Sequence, residues 1–195
     1  MTKLIMQSLR LTLAFTVLTG LAYPLLVTGI AKAFFRDQAN GSLVSRNGRT
    51  VGSALLSQKF EGQRFFWPRP SASDFGAVPS GASNLGPTSQ ILQSNVLARV
   101  QAFRGAHAMS GSASVPADMV FQSGSGLDPH ISPLSAELQI HRIAGARKTS
   151  DSALAALVAR FTEPPQFGFL GEFRVNVLLL NLALDQEPKV GSDVH

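Results

Sequence analysis

One uninterrupted apolar segment near the N-terminus constrains this chain more than any other feature of its sequence. The 21 residues from Leu11 to Ala31 include no charged side chain. At about 1.5 Å of rise per helical residue they extend about 30 Å, which is the thickness of the hydrocarbon core of a bilayer. The sequence therefore predicts one transmembrane helix over residues 11–33, after a short N-terminal segment of residues 1–10.

A cleaved signal peptide is the alternative interpretation of this segment. Lys3 and Arg10 form a basic stretch before it, and Ala31-Lys32-Ala33 matches a small-residue cleavage site. The apolar run is, however, longer than the 7–15 residues or so of a typical signal peptide, and no polar stretch precedes the cleavage site. Both features favour a helix that is retained.

The predicted helix has small residues along one side. A single span cannot enclose an aqueous pathway, and this one has no acidic or basic side chain to relay ions. Residues four apart lie on one ridge of a helix, and small residues there let another helix approach closely, although they are common in any membrane helix. We predict that this row contacts a partner helix. The row consists of Thr12, Thr16, Gly20, Pro24 and Thr28.

The charges that flank the helix do not decide its orientation. Lys3 and Arg10 lie before it, while Lys32 and Arg36 lie after it and are offset by Asp37. Because long domains cross membranes largely regardless of such charges, the sequence leaves the sidedness of the helix open.

Residues 34–187 are predicted to form a small mixed α/β soluble domain with a frayed tail at 188–195, so the fold class is α+β after one transmembrane helix. Asn47-Gly48 lies between short apolar runs and predicts a β-hairpin over residues 41–56. The stretch from Ser71 to Pro87 is rich in Ser, Gly, Ala and Pro, which predicts a long, ordered surface loop.

Serine residues mark the starts of two predicted helices. Thr88 or Ser89 precedes one that reaches residues 102–104, and Ser150 precedes another, which has apolar residues at the spacing of a buried face. A third helix start is predicted at Asp128 or at Ser132, because a proline follows each of them.

Two further predictions concern the C-terminal half. Arg142, Arg147 and Lys148 fall near the end of the helix that follows Ser132, where cations favour the negative end of the helix dipole. The alternation of leucines between Val175 and Leu184 predicts a strand.

Short motifs spread along the chain form a specific combination. They are TGLAYPLLVTGIA in the apolar segment, VGSALLSQKF followed by RPSA at Arg69–Ala72, SGASNLGP at Ser80–Pro87, and SGSGLDPHIS followed by GFLGEFRVNVLLLNLALD, which ends at Asp185. In content and order they resemble the C-subunit family of the Kdp-type potassium-transporting P-type ATPases. The chain departs from the commoner family pattern at Ala82, where glycine is usual, and at Phe173, where proline is usual.

The resemblance implies a non-catalytic accessory subunit of an ATP-driven, high-affinity potassium importer in a bacterial inner membrane. The implied partners are a potassium-channel-like subunit, a P-type ATPase subunit, a small single-helix subunit and the lipid bilayer. The resemblance also implies a cytoplasmic N-terminus and a periplasmic domain. A role in raising the ATP affinity of the pump subunit has been attributed to the family, but it conflicts with an external domain, because ATP is cytoplasmic.

The candidate nucleotide-contacting segment is Gln122-Ser123-Gly124-Ser125-Gly126. Its composition resembles, in shuffled order, the signature loop of ABC-type ATPases, and the backbone amides of such loops hold phosphate. It has no G-x-x-x-x-G-K-[ST] pattern and no lysine nearby in sequence, which favours a tight turn with capping serines instead. No cofactor of the chain's own is predicted, and ATP and potassium are expected to be used by the complex.

The motifs also supply candidate subunit contacts. Arg69, Asn84, Asp128 and His130 lie in the stretches that match the family, and we expect them at interfaces with other subunits. Asp128, His130 and His141 are of the residue types that bind metals, but their spacing matches no established site, so no metal is predicted.

Catalysis by this chain is not predicted. The sequence lacks the DKTGT phosphorylation motif of P-type pumps and a TVGYG potassium filter, so hydrolysis is expected on another chain. The alternative function is a membrane-anchored periplasmic hydrolase or ligand-binding protein that uses the region of Asp128 and His130. No nucleic-acid partner is expected, because the 17 Lys and Arg residues are scattered and form no basic stripe.

Overall fold

A computed structural model describes residues 1–186, which divide into two compact units, Met1–Val51 and Gly52 onwards. The chain has the predicted α+β class: a long apolar helix is followed by a domain of helices and short strands. The predicted tail, 188–195, lies outside the described residues.

The first unit begins with a continuous helical segment from Thr2 to Phe34, which is long and apolar enough to cross a membrane. It comprises α1 (Thr2–Val17), one π-helical turn (Leu18–Ala22) and α2 (Tyr23–Phe34). The π-turn ends two residues before Pro24. Pro24 has no amide hydrogen to donate to the carbonyl of residue 20, and its ring would clash with that carbonyl in an α-helix. No side chain of the apolar window is buried within the chain.

The predicted β-hairpin is confirmed. After the short α3 (Arg36–Ala39), strands β1 (Leu43–Arg46) and β2 (Arg49–Ser53) form a two-stranded sheet. The turn between them has φ of 51° at Asn47 and 74° at Gly48, the two positive values of a type I′ turn.

Residues 54–89 form no helix or strand, which agrees with the predicted long loop from Ser71 to Pro87. The elements after this segment are α4 (Gln90–Ala106), α5 (Ala117–Val120), β3 (His130–Ile131), α6 (Pro133–Glu137), α7 (Ile140–Arg147), α8 (Asp151–Arg160), β4 (Thr162–Glu163), β5 (Arg174–Asn176) and α9 (Val177–Leu184).

The three later strands form a second sheet. Its antiparallel order is β3-β5-β4, with His130 opposite Asn176 and Thr162 opposite Val175.

The serine caps predicted for α4 and α8 are confirmed. Ser89 Oγ accepts a hydrogen bond from the amide of Leu92, and Ser150 Oγ accepts one from the amide of Ala153. Each bond satisfies a donor that the first helical turn leaves without a partner, a contribution of about 1 kcal/mol.

Of the two starts predicted for the third helix, Ser132 is confirmed, because its Oγ accepts a hydrogen bond from the amide of Ser135. Asp128 is not a helix cap: it precedes β3 and accepts a hydrogen bond from the amide of His130.

Two other sequence predictions are wrong in detail. Arg142 lies in the first turn of α7 and is buried, rather than at a helix C-terminus. Val175–Leu184 is mostly helix, since only its first two residues belong to β5.

The core of the domain lies between its small sheet and its helices. Fully buried side chains include Phe66, Ile143, Val175 and Leu180, which come from the irregular segment 54–89, α7, β5 and α9. Phe66 therefore anchors that segment in the core.

Candidate functional site

Two motif-bearing segments, Arg69–Ser73 and Gln122–His130, lie side by side. The amide of Ser123 donates to the carbonyl of Pro70 at 3.3 Å, and Gln122 Nε2 donates to the carbonyl of Ser71 at 3.3 Å. About fifty residues of chain separate the two segments. The structure thus joins two of the sequence motifs into one surface, which we call the motif junction.

Gly126 brings a third motif into the motif junction. Its φ of +72° lies in the left-handed region, and a Cβ added there would lie 2.9 Å from both the carbonyl oxygen of Gly81 and Ser73 Oγ. Real Cβ atoms do not approach a backbone oxygen so closely, so only glycine fits this position without a shift of the backbone. The segment around Gly81, in the SGASNLGP motif, is therefore packed against the QSGSG segment.

Asp128 organises the charged part of the motif junction. Its carboxylate accepts a 2.7 Å hydrogen bond from Arg69 and a 3.0 Å bond from the amide of His130, whose ring nitrogen Nδ1 lies 3.6 Å away. Burial raises the pKa of Asp128, but the hydrogen bonds with His130 and the nearby Arg69 outweigh it and lower that pKa to about 2. The aspartate is thus anionic at neutral pH and links two segments by charge.

Most polar groups of the QSGSG segment are used within the fold. Ser123 is buried, and its Oγ accepts from the amide of Asp128 at 3.5 Å. Ser125 Oγ accepts from the amide of Leu127 at 3.1 Å, and the amide of Gly126 donates to the carbonyl of Ser123. Gly124 and Ser125 are exposed. The segment forms the tight, serine-supported turn that the sequence offers as the alternative to a phosphate cradle.

An open polar cleft of about 510 Å³ lies beside Asp128. Within residues 1–186, no group of three or more histidine, cysteine, aspartate or glutamate side chains is arranged to hold a metal ion. The residues that line the cleft are Arg69, Ala117, Asp118, Asp128, His130, Ile131, Ser132, Glu172, Phe173 and Arg174.

Comparison of the sequence with known proteins identifies the family of this chain. The family model of KdpC, the K⁺-transporting ATPase c chain, matches residues 5–186. The chain belongs to the KdpC family.

Curated relatives support this membership over nearly the whole length. A potassium-transporting ATPase KdpC subunit from Sorangium cellulosum is 55% identical over 181 residues, which cover 91% of this chain and 95% of the relative. The KdpC subunit from Rhodospirillum rubrum is 52% identical over 188 residues, covering 95% and 97%. That from Geobacter sulfurreducens is 51% identical over 187 residues, covering 94% and 97%.

Membership in the KdpC family makes this chain a subunit of a potassium-transporting ATPase, which implies partner subunits. Together with the apolar helix from Thr2 to Phe34, it indicates a membrane protein.

The structure brings some of the predicted site residues together and leaves others apart. Arg69, Asp128 and His130 meet at the motif junction beside the QSGSG segment. Asn84 is exposed on the long loop and has a left-handed backbone, with φ of 54°. The small row of the helix belongs to the first unit, where every one of its residues is exposed.

Sequence reasoning missed a buried polar cluster around Arg142. The guanidinium donates to the carbonyls of Gln63 and Phe65 at 2.7 and 2.9 Å, and it lies 4.2 Å from the centre of the Trp67 ring. Burial lowers the pKa of Arg142 to about 10, so it remains a cation at neutral pH. The RFFWP sequence signals aromatic packing, but nothing in it predicts an arginine partner about eighty residues away.

Two buried amides fix the same stretch of backbone. Gln139 Oε1 accepts from the amide of Trp67 at 2.7 Å, and its Nε2 donates to the Trp67 carbonyl at 3.2 Å. Asn181 makes the equivalent pair of bonds with Phe66, at 2.8 and 2.9 Å. These bonds hold the backbone two residues before Arg69, whose side chain contacts Asp128.

Proposed function

We propose that this chain is a non-catalytic accessory subunit of an ATP-driven, high-affinity potassium importer, and that it assembles and stabilises the complex while ATP hydrolysis takes place on another chain. The single observation that carries the proposal is the KdpC family match over residues 5–186. The fold supports it, because a helix that is long and apolar enough to cross a membrane precedes a domain in which three family motifs meet at the motif junction.

The proposed partners are a potassium-channel-like subunit, a P-type ATPase subunit and a small single-helix subunit, all in the lipid bilayer of a bacterial inner membrane. Helices in a bilayer associate mainly through close packing and hydrogen bonds between them. The helix from Thr2 to Phe34 buries no side chain of its apolar window within this chain, so all its faces are open to such packing.

The π-turn supports one face of this helix as the contact. Residues four apart advance by about 40° per step on an α-helix, so the row from Thr12 to Thr28 would be spread over about 160°. The π-turn, closed by the bond from the Tyr23 amide to the Leu18 carbonyl, inserts one residue and removes about 100° of rotation. The row then falls within about 60°, narrow enough for one partner helix.

We place the N-terminus in the cytoplasm and the domain in the periplasm. In that orientation the domain meets almost no ATP, so the Gln122–Gly126 segment acts through the fold and through contacts rather than by binding nucleotide. Hydrogen bonds support this structural role of the segment. Gln122 donates to the carbonyl of Ser71, the amide of Ser123 donates to the carbonyl of Pro70, and Ser123 Oγ accepts from the amide of Asp128.

Paired substitutions in the helix test the assembly role. Gly20→Leu fills the small row, whereas Val17→Leu enlarges a neighbouring residue outside it. A Cβ at Gly20 would meet nothing within 4 Å in this chain, so the substitution adds no clash of that atom with the rest of the chain. Gly20→Leu should lower the recovery of partner subunits with the detergent-purified chain severalfold, and Val17→Leu should leave it near the wild-type level.

Equal recovery with both variants would contradict the helix contact. Mass spectrometry that found a mature chain beginning at Phe34 would contradict it as well, because the helix would then have been removed.

A further inference from the structure

An apolar cleft opens on the domain between α4 and the irregular segment 54–89. It encloses about 270 Å³ and is lined mainly by apolar side chains. Phe60, Trp67 and Phe75 come from the irregular segment, and Phe103 comes from α4. A concave site with aromatic walls and a few polar groups is the usual form of a small-molecule site. We call this space the aromatic cleft.

The walls of the aromatic cleft are held in place by residues outside it. The indole nitrogen of Trp67 donates to the carbonyl of Gly62 at 3.0 Å, and the Arg142 guanidinium lies 4.2 Å from the centre of the Trp67 ring. The ring of His107 stacks on that of Phe103, with their centres 4.0 Å apart, and meets the Trp67 ring edge-on at 5.3 Å. A ligand would find these rings already placed, which lowers the free-energy cost of binding.

Arg99 supplies a cation at the wall of the aromatic cleft. It lies on α4, is partly buried, and forms no ion pair within residues 1–186. One terminal nitrogen of its guanidinium donates to the carbonyl of Val120 at 3.0 Å, which leaves other N–H groups for a ligand. Burial lowers the pKa of Arg99 below its usual value, because water no longer fully solvates the charge. An anion that binds there would compensate for that lost solvation.

The other charges that line the aromatic cleft already have partners. Arg69 binds Asp128 at 2.7 Å, and Glu61 binds Lys59 at 3.2 Å. Lys59 also binds Asp74 at 2.9 Å, and the side chains of Glu61 and Asp74 are each 75% exposed, so water screens their charges. Arg69 Nε is buried and has no hydrogen-bond partner within the described residues, so a second donor at the wall lacks an acceptor. The lining therefore favours an anionic acceptor.

We propose that the aromatic cleft binds a small apolar monocarboxylic acid, with its apolar body between Trp67, Phe75 and Phe103 and its carboxylate on the guanidinium of Arg99. A guanidinium binds a carboxylate through two parallel hydrogen bonds, which gives the contact its geometric specificity. A cavity of roughly 150 Å³ holds a benzene ring, so the aromatic cleft admits one ring with a short acid arm. The site goes beyond the proposed assembly role, because it requires no partner subunit.

The one tryptophan of the chain lines the aromatic cleft and reports on its occupancy. The full chain in phosphatidylcholine vesicles is titrated at pH 7 with 3-phenylpropanoate and with octanoate, while the emission of Trp67 is recorded. Both acids should cause a saturable change. The uncharged 3-phenylpropanamide should bind at least about tenfold more weakly than 3-phenylpropanoate, as expected for the loss of a hydrogen-bonded charge.

Two substitutions on α4 locate the ligand. Arg99→Met keeps most of the length of the side chain and removes its charge, so it should weaken 3-phenylpropanoate about tenfold and leave 3-phenylpropanamide unchanged. Ala102→Phe fills the aromatic cleft from the side of the helix and should abolish the binding of both compounds. Ala98→Phe is the matched control, because Ala98 is also exposed on α4 but does not line the cleft, and it should bind like the wild type.

Three results would overturn this assignment. The first is no change in Trp67 emission with either acid up to about 10 mM, a concentration at which even a weak site would fill. The second is equal binding of the acid and the amide, which would remove the role of Arg99. The third is a severalfold loss of partner subunits with Ala102→Phe but not with Ala98→Phe, which would assign the cleft to a protein contact. The first two leave the proposed assembly role intact.

Discussion

At the scale of single residues, His107 shows how burial determines an ionisation state. Its Nδ1 lies 2.7 Å from the carbonyl of Phe103, and its Nε2 accepts a 2.9 Å bond from Arg142. The ring is thus neutral, with its proton on Nδ1. Burial and the charge of Arg142 lower the pKa of His107 to about 4, although the bond to Phe103 opposes the shift.

This shift predicts a loss of stability in mild acid. Between pH 6.5 and pH 4 the unfolded chain binds a proton at His107 that the folded chain does not, so the free energy of unfolding falls as the pH falls. The slope is at most about 1.4 kcal/mol per pH unit, and it is smaller because the side chain is partly exposed. His107→Gln keeps an acceptor for Arg142 and should reduce the difference in stability between pH 7 and pH 5, measured by thermal unfolding.

Asp128 does not contribute in the same window. Its pKa is lowered to about 2, so the stability that it provides is lost only below its unfolded value of 3.8. An equal loss of stability between pH 7 and pH 5 in the wild type and in His107→Gln would show that the histidine is not the group responsible.

At the scale of elements, the parts that the sequence predicts correctly have local signals. Asn47-Gly48 requires two positive φ values, and Ser89 and Ser150 cap the helices that follow them. The leucine alternation wrongly predicts a strand where α9 lies. This helix is apolar on nearly every side, so the alternation of its leucines does not indicate a single buried face. Its start depends on Asn176, whose side chain accepts from the amide of Leu179.

The turn at Gly126 gives a prediction at this scale. Gly126→Ala places a Cβ 2.9 Å from the Gly81 carbonyl and strains a backbone with φ of +72°, so it should destabilise the domain by about 1–3 kcal/mol. Gly124→Ala is the matched control, because its Cβ would meet nothing within 4 Å. Urea unfolding should separate the two variants, and equal midpoints would contradict the close packing of these motifs.

At the scale of the whole molecule, the sequence shows the motifs but not that they meet. Arg69 and Asp128 are 59 residues apart and form a 2.7 Å ion pair, and Arg142 reaches Gln63 across 79 residues. Long-range pairs of this kind depend on how the sheet and helices pack, which periodicity and capping signals do not encode. The exposure of Phe167 and Phe169, between β4 and β5, is likewise visible only in the folded structure.

Sidedness is a prediction about the whole chain. The periplasmic placement of the domain predicts that Ser112→Cys, at an exposed position, reacts with a membrane-impermeant maleimide in intact spheroplasts. Thr2→Cys should react only after lysis. Because the chain has no other cysteine, the labelling has no background from this subunit. The reverse pattern would place the domain in the cytoplasm.

The central claim is that this chain serves the pump through its fold and its contacts rather than by binding nucleotide. The most direct test is the ATPase activity of the purified Gln122→Ala complex as a function of ATP concentration. Gln122 bonds to the carbonyl of Ser71, so its loss should cost at most some stability and leave the KM for ATP unchanged. A severalfold rise in that KM, with the complex assembled at wild-type yield, would contradict the account.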